Sequence, residues 1–124
     1  MEFYRSLATK TQESFIHQEL TIANLEVISN ELFVIGDQYD SEANIGGIWG
    51  EFTLIRTLIK GGVRFALKEC PNALAWTITT GLPPNPDVIV VHLTINRQNQ
   101  KPDFIEEINE FLDDHCNCLQ AYFE

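Results

Sequence analysis

Six carboxylates recur at helical spacing near the end of the chain: Asp103, Glu106, Glu107, Glu110, Asp113 and Asp114. Steps of three and four put them on one side of a helix, and no Lys or Arg interrupts the run. Such a stripe is either a solvated face that keeps the protein soluble or a docking surface for a basic protein partner. As a docking surface it would speed association and set specificity more than affinity.

A second group of polar residues shares one side of two β-type segments. His92 alternates with Val91 and Leu93, and Thr94 follows it in phase. Thr77 and Thr79 occupy the corresponding side of Ala73–Thr80, opposite Leu74, Trp76 and Ile78. This small, polar face is a solvent-exposed surface, a dimer interface or the floor of a ligand site. In the last case His92 is its one good acid–base group, and Trp49 and Trp76 are candidate walls. A catalytic histidine needs a nucleophile or carboxylate in reach, and the sequence designates none, so no catalytic residue is assigned.

Metal chemistry is weakly supported. Asp37, Asp40, Glu42 and Asn44 offer hard oxygens within one loop, but their order does not follow the EF-hand pattern. His115-Cys116-Asn117-Cys118, with Cys70 elsewhere, has one residue between its paired thiols where structural zinc sites use two to four. On a helix those thiols diverge by about 200°. Gly46-Gly47-Ile48-Trp49-Gly50 lacks the Lys-Ser/Thr that completes a phosphate-binding loop, and no Gly-x-Ser-x-Gly elbow occurs. Neither a metal nor a cofactor is expected.

Composition bounds the remaining choices. The 124 residues suit one domain, 1–124. A formal net charge of −10 disfavours nucleic acid and anionic membranes, which select basic faces. The three cysteines are too few and too irregular for a disulfide framework. No apolar run approaches the roughly 20 residues of a membrane span, and the first residues do not form a secretory signal. These features predict a cytoplasmic protein.

The elements that would position these groups follow from periodicity. Phe3, Leu7, Phe15, Ile16 and Leu20 predict an N-terminal amphipathic helix over 2–20, with a weak turn at Thr9–Thr11. Leu25–Ile28 and Leu32–Ile35 predict a hairpin around Ser29-Asn30-Glu31, and 36–47 reads as a loop. Residues 48–70 fit two patterns. Ile48, Phe52, Ile55, Ile59, Val63 and Ala66 suit a helix face. The β-branched alternation of 53–59, with a turn at Lys60-Gly61-Gly62, suits a strand pair and is preferred. Ala73–Thr80 and Val88–Asn96 are strands separated by a proline-rich loop. Pro102 opens a final helix whose apolar face is Phe104, Ile105, Ile108, Phe111 and Leu112, and which continues to bury Leu119 and Phe123.

The assembled expectation is a two-layer α+β fold: an antiparallel sheet of four to six strands flanked by an N-terminal and a C-terminal helix. A ferredoxin-like order results if 48–70 is helical. The leading functional expectation is a small acidic, non-enzymatic binding protein of the chaperone, immunity-type inhibitor or regulatory adaptor kind. The alternative is a small-ligand-binding protein or minor enzyme with a pocket between sheet and helix near His92. A homodimer is expected because symmetric dimers are common.

Overall fold

Ile89, Val91 and Leu93 are fully buried while Val90, His92 and Thr94 are not, so their strand has one covered face and one open one. The same alternation organises the whole sheet. The computed structural model describes residues 1–83, 85–96 and 100–124. It contains β1 (Glu2–Leu7), α1 (Glu13–Glu19), α2 (Leu25–Ile28), β2 (Leu32–Gln38), β3 (Glu42–Gly47), β4 (Gly50–Ile59), β5 (Gly62–Lys68), β6 (Ala75–Thr80), β7 (Ile89–Thr94) and α3 (Pro102–Phe123). The seven strands form a single antiparallel sheet in the order β1-β7-β6-β5-β4-β3-β2. β2 to β7 are a meander. β1 adds to its far edge, so the two short helices carry the chain from one edge of the sheet to the other.

Three expectations need correction. The N-terminal helix over 2–20 is a strand followed by the short α1. Phe3 and Leu7 lie four apart and suit a helix, but with Arg5 they also alternate. The open edge of β7 supplies backbone partners, pairing Phe3 with Leu93 and Leu7 with Ile89. The hairpin expected over 25–35 is half present. Leu25–Ile28 is one helical turn that buries Leu25 and Ile28, and only Leu32 onward is a strand. The expected loop over 36–47 contains β3, in which Ala43 and Ile45 are buried and Asn44 is exposed. Small and polar residues mask that alternation. The sheet therefore has seven strands, not four to six.

Residues 48–70 form the strand pair β4–β5 rather than a helix, which removes the ferredoxin-like order. β6, β7 and the long form of α3 agree with their periodicity. In the loop between β6 and β7, Pro84 lies outside the described residues.

One face of the sheet is covered. α1 packs on β5 and β6, while α3 packs along β1 and α2. The apolar stripe of α3 is Ile108, Phe111, Leu112, His115, Cys116 and Leu119, all buried. Burying a side chain such as Phe111 contributes about 1.5–3 kcal/mol. Phe123 extends the contact by meeting Phe15 of α1, with ring centroids 5.4 Å apart. Tyr122 Oη donates to Glu19 at 2.8 Å. Among the described residues, no helix is long and apolar enough to cross a membrane.

Candidate functional site

The centre of the layer between the sheet and α3 is aromatic. Phe111, halfway along α3, contacts Trp76 of β6 and Trp49 of the β3–β4 turn, each at a centroid distance of 5.2 Å. Phe65 of β5 lies beside Trp76 at 5.4 Å. Trp49 also meets Phe104 in the first turn of α3, at 6.3 Å and nearly edge-on. Trp49 and Trp76 were expected as pocket walls. Both instead pack against Phe111 within the layer between the sheet and α3.

His115 completes this cluster one helical turn after Phe111. It stacks on that ring at 5.4 Å and meets Trp76 edge-on at 6.1 Å. Its side chain is fully buried, and Nδ1 donates to the carbonyl of Ile28 at the end of α2. A carbonyl can only accept, so the Nδ1–H tautomer is present and Nε2 offers a lone pair. Burial lowers its pKa to about 4, against smaller upward effects from the Ile28 carbonyl and Asp114. The ring is neutral at physiological pH.

Three buried ring nitrogens of this cluster have no hydrogen-bond partner among the described residues: Trp49 Nε1, Trp76 Nε1 and His115 Nε2. An unsatisfied buried polar group costs about 1–3 kcal/mol. Two of these nitrogens are donors and the third is an acceptor. A hydroxyl group, which donates once and accepts twice, is able to partner either kind of nitrogen. A carboxylate would present lone pairs to the lone pair of neutral His115.

The polar face chosen from sequence lies on the other side of the sheet. Thr77 pairs with His92, and Thr94 with Ala75. Thr77, His92, Thr94 and Arg64 surround a depression of about 180 Å³, below the ~300 Å³ at which small-molecule sites begin. Thr79 is apart from them. It lines a cleft of about 680 Å³ with Thr80, Leu82 and Val90 at the end of the sheet. His92 acquires two neighbours that its sequence surroundings do not reveal. Tyr4 stacks on it at 4.2 Å with ring planes 3° apart, and Glu2 Oε1 lies 3.1 Å from Nε2. A pocket "between sheet and helix" and a pocket "near His92" are thus two different places, because α3 covers the opposite face.

The acidic stripe divides in the same way. Asp113 pairs with Arg5 of β1 at 3.2 Å. Asp114 accepts from the backbone and side-chain amides of Asn30 at 3.0 and 2.8 Å, tying the α2–β2 connection to α3. Asp103, Glu106 and Glu110 are exposed, and Glu107 is half-buried. Glu110 and Asp114 raise the pKa of Glu31, after the larger effect of its own partial burial. Burial moves the Cys116 thiol up to about 11, which keeps it protonated and unreactive. Cys118 is half-buried, and Cys70 lies in the β5–β6 connection. Residues 37–44 make the β2–β3 turn. Among the described residues, no group of three or more His, Cys, Asp or Glu side chains is placed to hold a metal ion.

In the sequence His115 stands out only as part of a cysteine-containing tract. The signal that could have identified it is helical phase: three and four residues after Leu112 and Phe111, it falls on the apolar stripe.

No family model and no curated protein sequence matches this chain. Solved structures do. A START superfamily protein from Mycobacterium smegmatis is 12% identical and superposes with a TM-score of 0.58, over 99% of this chain and 95% of that one. A protein from Nitrosospira multiformis is 11% identical with a TM-score of 0.65, over 100% and 97% of the two chains. The likeness spans the whole chain and establishes its fold as START-like, a seven-stranded antiparallel sheet with a long C-terminal helix.

Proposed function

We propose that this chain is a small-ligand-binding protein, and that its ligand is an apolar molecule carrying a hydroxyl group, taken up between the sheet and α3. The observation that carries this reading is the set of three unpartnered ring nitrogens at the centre of an otherwise apolar layer. A layer built only for stability would place Phe or Leu at these positions, because each orphaned nitrogen lowers stability. The likeness of fold to a START superfamily protein, over nearly the full length, supports a ligand-binding reading.

In the described conformation Trp49, Trp76 and Phe111 fill this layer. Binding therefore requires the aromatic rings to move aside. Trp49 is the movable member, being half-buried in a turn against the first turn of α3. The alternative use of α3 as an acidic docking surface has less support, because Asp113 and Asp114 already hold Arg5 and Asn30.

Titration with 2-naphthol, followed by tryptophan fluorescence, tests the reading. Saturable one-to-one quenching is expected, weaker by about tenfold for naphthalene, which lacks the hydroxyl; a lost hydrogen bond to a buried group accounts for that factor. His115→Phe, with unchanged circular dichroism, should erase the preference for naphthol. Absence of saturable binding by either probe would refute the reading.

A further inference from the structure

The row of side chains facing the helices across the sheet runs Phe3, Leu93, Trp76, Phe65 and then Arg56. A guanidinium at the end of an apolar row has to be explained. Its Nε and Nη2 donate to the carbonyls of Leu20 and His17, at 2.8 and 2.6 Å, where α1 ends. Those carbonyls are neutral, so they leave its charge uncompensated. The ion pairs of Lys and Arg among the described residues are Arg5–Asp113 and Lys10–Asp87, and Arg56 is in neither. Partial burial lowers its pKa, against a smaller upward pull from Asp40. Nη1 makes no hydrogen bond to a described residue.

Arg56 opens onto a cleft of about 530 Å³, within the usual range of small-molecule sites. The cleft lies between the α1–α2 turn, contributing Thr21 and Ile22, and the sheet, contributing Leu58 from β4 and Tyr39 and Asp40 from the β2–β3 turn. Leu58 is 55% exposed and Tyr39 is 67% exposed, so two large side chains with apolar surface flank the guanidinium in water. The arrangement joins a guanidinium, whose Nη1 N–H groups are left to donate to a carboxylate, to an apolar wall.

We infer that this cleft binds a small organic anion, its carboxylate held by Arg56 and its apolar body lying against Ile22, Tyr39 and Leu58. Asp40 lines the same cleft without pairing with Arg56, and it weakens the anion's affinity by repulsion. The site is separate from the space beneath α3, and its test does not depend on that proposal.

Octanoate and octanamide, which share a chain and differ in the charge of the head, are the probes. The side-chain Nε–Hε resonance of Arg56 reports where they bind. Octanoate should shift that resonance saturably and bind at least about tenfold more tightly than octanamide. Arg56→Gln should reduce octanoate to the affinity of the amide. Because Arg56 also caps α1, Leu58→Glu serves as a second variant at an exposed position, and it should abolish binding with the melting temperature retained. Asp40→Asn should tighten binding. Equal affinities for the two probes, an unmoved Arg56 resonance, or octanoate binding that survives Leu58→Glu would each overturn the inference. So would weaker binding by Asp40→Asn, which would make Asp40 part of the site rather than a repulsive neighbour.

Discussion

His115 occupies a position where leucine would be ordinary, on the apolar stripe of α3 and in contact with Phe111 and Trp76. Its burial has a consequence for stability. In the unfolded chain its pKa is near 6.5, and in the folded protein it is lowered to about 4. Between those values the unfolded state binds a proton that the native state does not, so stability falls as pH drops through this window and is unaffected above it. The loss can reach about 3 kcal/mol, the free energy of a shift of this size in a fully buried group. Urea unfolding of the parent and of His115→Phe, from about pH 7 to 4.5, should give curves that diverge as pH falls, the variant losing less. Parallel curves would mean that His115 does not titrate as its burial requires. The identity and helical phase of this histidine are legible in the sequence. Its tautomer is not, because the carbonyl that sets it belongs to Ile28, far away in the chain.

The β4–β5 hairpin shows local chemistry succeeding. Its β-branched alternation ends at Lys60-Gly61-Gly62, and the structure turns there. The two glycines have different duties. Gly61 has a φ of +88°, a left-handed conformation that costs an L-residue about 1–2 kcal/mol. Gly62 is opposite Thr79 of β6, and a Cβ on it would lie 1.9 Å from the carbonyl oxygen of Ile78. That oxygen is backbone within the sheet and cannot swing away. Gly62→Ala should therefore destabilise by more than about 3 kcal/mol, the upper end of ordinary overpacking. Gly61→Ala should lose only its conformational penalty. Denaturant midpoints giving the two variants equal stability would contradict the β5–β6 register. β1 illustrates the opposite case. Phe3, Arg5 and Leu7 fit a helix and a strand equally well within their own window, and the edge of β7 decides between them.

The net charge of −10 is carried by a molecule with two ion pairs of Lys or Arg among its described residues. Like charges are therefore closer together in the folded protein than in the unfolded chain, and self-repulsion opposes compaction. Raising ionic strength from about 0.01 to 0.15 M shortens the screening length from ~30 to ~8 Å. The melting temperature should rise with it. A decrease would indicate that exposed pairs such as Arg5–Asp113 outweigh the repulsion, contrary to the ~0–1 kcal/mol typical of surface pairs.

Residue types and their short-range spacing were enough for the α+β class, the strands β6 and β7, the long C-terminal helix and its acidic and apolar faces, and they favoured the β4–β5 hairpin over a helix. Each of these depends on contacts along one element or across one tight turn. The position of β1, the strand β3 hidden among small residues and the separation of His92 from α3 were settled only by pairing between distant segments. The candidate site belongs to this second kind. Trp49, Trp76 and His115 come from a turn, a strand and a helix, and their unpartnered nitrogens exist as a feature only after burial has removed water from all three.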